Sequence, residues 1–208
     1  MKGLILNNIY SVQKSMNSSI LLAIVAVIGL LLTKQLMLLK VAIFLPFFLI
    51  PVNAFEVLKH DAMSGWNKFE RTLPVTQRNI ITSKYITFLL LFGLSVIIVF
   101  IPFLIAHLFF YPTMNVLFLN FSFRGMGLIL CVAAMVFPLT YKLGTEKSDT
   151  VMMTSGGISV GLFFFVSVLL QMVIGTVEGF DEIFSIIFLG IAIFLLIVSY
   201  IVSNWMYK

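Results

Sequence analysis

Long apolar runs, cut by short polar stretches, make up almost the whole chain. Those near 18–33, 41–58, 85–108, 124–140, 154–175 and 183–203 are continuous in Leu, Ile, Val and Phe, with no strict alternation. A bilayer core takes roughly 20 such residues per helix, within a range of about 17–25. Each run therefore predicts one transmembrane helix, with the first and fourth short enough to need a turn from their flanks. Lipid admits only helices or closed barrels, and barrel strands would alternate in polarity. The expected fold class is all-α, an integral membrane protein of about six spans forming a single domain over 1–208. Pro46, Pro51, Pro102 and Pro138 fall within the runs, where proline ordinarily kinks a membrane helix.

Two polar segments have patterns of their own. In 1–16, Ile5, Ile9, Val12 and Met16 recur at helical spacing beside Leu4 and Leu6, while Lys2, Asn7, Asn8, Ser11 and Lys14 supply a polar side. This predicts an N-terminal amphipathic helix in the membrane interface; an extended first span or a frayed tail is the other reading. In 59–84, Asp61 and Ser64 are helix N-cap types, and Trp66, Phe69 and Leu73 follow at i, i+3 and i+7. Lys68, Glu70 and Arg71 take other faces. Pro74 stops this helix, and Thr76 can cap the next, which runs through Ile80 and Ile81 to Tyr85. A short helix baring Trp and Phe either packs on the membrane or docks in a partner's groove, and the residues alone leave both open.

Composition adds the solvent. The chain is 61% hydrophobic and only 10% charged, whereas a soluble domain carries about 25% charged residues. A domain of this size buries only roughly 70% of its surface in water, so lipid must cover the remainder. The first run starts only near Ser18, and no small-x-small site follows it, so it reads as a span and not as a cleaved signal. Cys131 is the single cysteine, which makes it a packing residue with no disulfide partner in the chain.

Charge supplies an orientation. Six spans put both termini on one side, together with 59–84 and 141–153. That side holds Lys2, Lys14, Lys59, Lys68, Arg71, Arg78, Lys84, Lys142, Lys147 and Lys208, which is ten of the thirteen basic residues. Lys34, Lys40 and Arg124 fall on the other, as do Glu178, Asp181 and Glu182. Excess Lys/Arg marks the cytoplasmic side, so both termini are expected inside. The net charge of +5 is then mostly topology, with no nucleic-acid partner expected.

Candidate chemistry is sparse. Ionisable groups at mid-membrane mark carriers and membrane enzymes, since each costs a few kcal/mol, and the span centres here are nearly free of them. Gln171 is the most polar residue deep in a span and the one candidate for a substrate pathway, although a single amide ordinarily joins helices. His60 and His107 stand alone, so no metal site is expected. No H-E-x-x-H, G-x-S-x-G or P-loop is present; the chain is expected to have no catalytic residue and not to be an enzyme. Gly157 and Gly161 form a small-xxx-small pair that would admit a close helix.

The stretch Lys68-Phe-Glu-Arg-Thr-Leu-Pro-Val-Thr-Gln-Arg-Asn-Ile-Ile-Thr-Ser-Lys-Tyr85 resembles the first cytoplasmic loop of ABC-2 type permeases, where a "tLPvsr..iv.sKyl" run follows a small coupling helix. Leu73-Pro74-Val75 followed by Lys84-Tyr85 at this spacing is its most specific part. The opening Met1-Lys-Gly-Leu-Ile-Leu-Asn-Asn-Ile-Tyr10 is similar to the start of the same permeases. Within the family, the chain most resembles the compact permeases of Gram-positive bacteria that handle peptides, the exporter of phenol-soluble modulins among them.

The resemblance implies half of a transmembrane pore in a bacterial cytoplasmic membrane. Its partners would be a second permease subunit, the same or homologous, and cytoplasmic ABC ATPase subunits that hold the P-loop, ATP and Mg; this chain would bind no cofactor. It also implies a coupling helix over 61–73. The implied ATPase-coupling residues are Asp61, Ser64, Gly65, Trp66, Phe69, Glu70, Arg71, Leu73 and Pro74, with Trp66, Phe69 and Glu70 foremost. A re-entrant segment between the fifth and sixth spans is implied too, although 176–182 is very short for one. The function implied is ATP-driven export of an amphipathic peptide or lipid-like substrate. Two other classes stay open: an ion-coupled carrier or channel, and a non-transporting membrane subunit that senses or assembles with a partner.

Overall fold

A computed structural model describes residues 1–32, 36–70, 72–109, 115–175 and 179–206. Among the described residues the chain is helical throughout, in the order α1 (Lys2–Ser11), α2 (Gln13–Leu32), α3 (Leu36–Ser64), α4 (Trp66–Glu70), α5 (Gln77–Phe109), α6 (Asn115–Leu143), α7 (Ser148–Ile174) and α8 (Phe180–Met206), with a short 3-10 turn at Thr145–Lys147. Five helices, α3 and α5 to α8, are long and apolar enough to cross a membrane. α1 and α2 meet at a 67° bend and make a sixth if the pair is one broken span. The protein is thus an all-α, multi-span membrane protein. The internal prolines lie within α3, α5 and α6, and none of them ends its helix.

Burial ranks the helices. The most apolar windows of α3 and α6 are each 61% buried, against 33% for α5, 22% for α8 and 6% for α7. α3 and α6 therefore form the centre. α7 bares Ile158, Phe164, Phe165, Val168, Met172 and Val173, a surface that only lipid or another apolar face can cover. The core at one end of the bundle is aromatic: Phe55 of α3, Tyr85 and Phe88 of α5 and Phe137 of α6 pack ring on ring, with Tyr85 and Phe137 centroids 4.3 Å apart.

α6 and α8 run in the same direction and form the most extensive helix pair, with α7 returning outside them. Their closest approach is at Gly127, where a Cβ would lie 2.6 Å from the ring of the fully buried Phe188. In the first turn of α8, Asp181 accepts from Arg124 Nη2 through Oδ1 at 2.6 Å, and Arg124 Nε donates to Ser185 Oγ at 3.0 Å. The guanidinium lies over the rings of Phe121 and Phe184. Arg124, which charge counting places merely on the outer side, is therefore a clamp between α6 and α8.

α8 also reaches α5. The Tyr85 hydroxyl lies 2.7 Å from Ser199 Oγ and 2.9 Å from Ser203 Oγ, with all three residues buried. Tyr85→Phe removes both bonds and leaves two hydroxyls without their partner, a loss of about 1–3 kcal/mol. The expected result is a lowered melting temperature in detergent, largely recovered when Ser199 and Ser203 are also changed to Ala. A variant that melts like the parent would show that these bonds contribute nothing.

α1 differs from its expected form. Its inward positions are Leu4 and Asn8, continued by Val12 at the bend, while Leu6 and Tyr10 are exposed and Ile5 and Ile9 half-buried. The helix packs on α5 and α3, so one polar residue, Asn8, sits between the apolar Leu4 and Val12 on the face turned to the protein. A stripe read for a lipid interface does not anticipate this, because the partner face of α5 is itself polar at Ser83, Lys84 and Thr87.

Candidate functional site

The polar segments meet at the end of the bundle that carries α1, α4, the 3-10 turn and the last turns of α8. α3 does not stop where the sequence suggests a cap: Asp61 lies in its last turn and Ser64 ends it. Gly65 follows at φ 71°, a left-handed conformation that glycine adopts without steric cost. Ser64 Oγ accepts from the Trp66 N–H at 3.4 Å and so caps α4. α4 lasts only to Glu70, leaving Leu73 and Pro74 in a turn. Thr76 Oγ1 then accepts from the Asn79 N–H at 3.3 Å, capping α5 as its sequence predicts.

The antiparallel run of α3 and α5 brings together two charges 23 residues apart. Lys84 Nζ donates to the Asp61 carboxylate and to Asn8 Oδ1, the latter at 2.6 Å. Asn8 Nδ2 in turn donates to Thr87 Oγ1 at 3.2 Å and to Ser83 Oγ at 3.4 Å. The Lys84 and Asp61 side chains are only 3% and 5% exposed. Taking such a pair out of water costs several kcal/mol per ion unless geometry and further hydrogen bonds offset it; Asn8 supplies part of that offset. One ion pair and one amide thus tie α1, α3 and α5 together.

Glu70 completes the cluster. It is 2% exposed, and its Oε1 has no hydrogen-bond partner among the described residues. Burial pushes its carboxyl above the ordinary range, with Lys84 opposing that shift and Asp61 adding to it. Beside it lies a cavity of about 270 Å³ lined by Asp61, Asn67, Glu70, Lys84 and Thr140 and by residues 143–147. Asn67 Nδ2 donates across this region to Thr145 Oγ1 at 3.1 Å, fastening α4 to the 3-10 turn. Lys59 and Asp149, 2.7 Å apart, join α3 to α7 at the surface, where a solvated pair contributes at most about 1 kcal/mol.

The outward side of α4 is different in kind. Phe69 is 54% exposed, with its ring centroid 5.3 Å from that of the half-buried Trp66. Lys68, Met63 and Pro74 are exposed around them, and Leu73 is half-buried. Of the residues the resemblance singles out, the structure therefore gathers Ser64, Gly65, Trp66, Phe69, Leu73 and Pro74 around an outer aromatic knuckle. Asp61 and Glu70 point inward, and Arg71 lies outside the described residues. Gln171 is exposed on α7, remote in the chain from this cluster. His107 belongs to α5, with its side chain outside the described positions. No group of three His, Cys, Asp or Glu among the described residues could hold a metal ion.

The sequence pattern counts Lys84 as a loop charge and as part of the family motif, and Asn8 as one of the polar residues of the first helix, but gives neither a place in the site. The available signal was position: Lys84 stands among Ile80, Ile81, Tyr85, Ile86 and Phe88 in an apolar helix, where an unpaired ammonium would be costly.

The sequence model of the ABC-2 family transporter proteins matches residues 3–208. The chain belongs to that family. No curated protein and no solved structure matches it significantly. An ABC-2 permease is a non-catalytic membrane subunit that typically works with ATPase subunits and a second permease. In this permease the matched region takes in the whole helical bundle, the ionic cluster and α4.

Proposed function

We propose that this ABC-2 permease is one half of an exporter that moves an amphipathic peptide or lipid-like substrate, driven by ATP hydrolysed in a partner subunit seated on α4. The observation that carries this reading is the Trp66–Phe69 ring pair, with Phe69 exposed, on a short helix fastened to the 3-10 turn at Asn67 and seated over the buried ion pair. Aromatic side chains are the usual anchors of protein interfaces. A five-residue helix braced at Asn67 and backed by the Asp61–Lys84 pair moves as a unit with α3 and α5. Closure of the ATPases around ATP would push α4 and so shift the permease between two packings, a hinge or shear change. The Lys/Arg excess at this end supports its placement in the cytoplasm, with both termini, in a bacterial cytoplasmic membrane. Apolar outer faces on α7 and α8 offer contact area without fixed charge, which suits amphipathic cargo. The resemblance to compact Gram-positive permeases supports a peptide, and Gln171 on α7 is the polar position we assign to the substrate pathway.

The test is a mild-detergent pull-down of the tagged chain, followed by ATPase assays of the reconstituted complex. We expect a P-loop ATPase in the eluate. Trp66→Ala with Phe69→Ala should reduce permease-dependent ATP hydrolysis at least tenfold while the protein stays folded and inserted. Unchanged hydrolysis would remove α4 from the interface. The second reading is an ion-coupled carrier, favoured by the buried Asp61–Lys84–Glu70 cluster. A chain that purifies alone and transports in response to a proton gradient without ATP would select that reading.

A further inference from the structure

We infer that the cavity beneath α4 receives one basic side chain, a lysine or arginine, from the subunit that docks on α4. This rests on the docking reading above and specifies its chemistry. The cavity floor holds two carboxylates, Asp61 and Glu70, against one ammonium, Lys84, and that ammonium is already bonded to Asp61 and Asn8. Among the described residues, the floor is therefore one positive charge short. Glu70 is nine-tenths or more buried, and Oε1 meets no donor among the described residues; Asn67 Oδ1 and Thr140 Oγ1 on the same lining are likewise without partners. Asn67 Oδ1 and the ionised Glu70 carboxylate can only accept, so the missing group is a donor. A buried acceptor left unmade costs about 1–3 kcal/mol, more when charged, and an arriving cation would recover that loss.

Size and access fit. Some 270 Å³ is room for a guanidinium or ammonium group and its stem, since a water's share of liquid volume is roughly 30 Å³. The rim at Leu143, Gly144, Glu146 and Lys147 is exposed, with its one acidic and one basic residue balancing. A metal ion is the poorer fit, because the described residues offer no group of three ligating side chains. An arginine fork could take the Glu70 carboxylate and Asn67 Oδ1 together, the geometry in which guanidinium surpasses ammonium. Burial already raises the Glu70 carboxyl, and a cation beside it would hold it ionised.

The experiment uses the full permease in nanodiscs, titrated with the fluorescently labelled ATPase that co-purifies with it. Glu70→Gln should weaken binding at least tenfold without lowering the melting temperature of the permease alone, since it removes a buried charge that lacks a partner. Asn67→Asp, whose carboxylate can still accept from the Thr145 hydroxyl, adds a charge to the same lining and should strengthen binding, with the melting temperature of the permease alone showing that the fold is kept. Glu70→Gln binding like the parent, or Asn67→Asp weakening it with the melting temperature of the permease unchanged, while Trp66→Ala/Phe69→Ala still releases the ATPase, overturns the inference and leaves the docking reading intact. Trp66→Ala/Phe69→Ala binding like the parent overturns the docking reading and the inference with it.

Discussion

Lys84→Met costs the folded chain about 3–5 kcal/mol, the range for breaking a buried pair by removing one partner. The methionine keeps the volume of the stem, so the loss is electrostatic. Asp61 loses its counter-charge inside the protein, Glu70 loses the ammonium that opposes the effect of its burial, and Asn8 Oδ1 loses its donor. Adding Asp61→Leu should restore most of the stability, because two apolar residues of similar volume need no solvation. The double-mutant cycle isolates the pair from the rest of the cluster. Thermal unfolding in detergent measures it, with a drop of roughly 6–20 °C for the single variant at roughly 2–4 °C per kcal/mol. If both single variants melt within a degree of the parent, the pair holds nothing together, and the view of α3 and α5 as one body behind α4 goes with it.

Gly127→Leu should prevent the packing of α6 on α8. Alanine alone places a Cβ 2.6 Å from Cδ1 and 2.7 Å from Cε1 of Phe188. That ring cannot swing freely, since it packs against Phe184 and edge-on against Phe163 of α7, with centroids 5.8 and 5.1 Å away. Overpacking a tight core costs about 1–3 kcal/mol for extra methylenes, and leucine adds three carbons beyond the alanine. We expect Gly127→Ala to melt measurably lower and Gly127→Leu to be recovered mainly as aggregate in size-exclusion chromatography. Gly157→Ala and Gly161→Ala are the controls, because an added Cβ at either meets nothing within 4 Å. Equal tolerance at all three positions would refute the close approach. A defect at Gly157 or Gly161 that appears only in transport would place a second subunit against α7.

Lys84 and Gly127 lie beyond what the sequence alone reveals. A chain with six apolar runs and so few charges has one class of solution, since lipid demands internally satisfied backbone and only continuous helices meet that demand from such runs. The all-α class, the count of five or six membrane-length helices, the caps at Ser64 and Thr76, the burial of Cys131 and the family membership were all legible for that reason: each depends on neighbours in the chain or on composition. Direction was not. Whether Glu70 faces a partner or the protein interior depends on the angle at which α4 leaves Gly65. Which glycine is crowded depends on which helices touch, and spacing favoured Gly157 and Gly161 where packing chose Gly127. Lys84 meets Asp61 and Asn8 only because α1, α3 and α5 pack side by side, at separations of 23 and 76 residues. Local pattern sets which segments must be helical and how polar they are; the tertiary fold alone decides which side chains share a buried space, because electrostatics and packing act on distance in space and not along the chain.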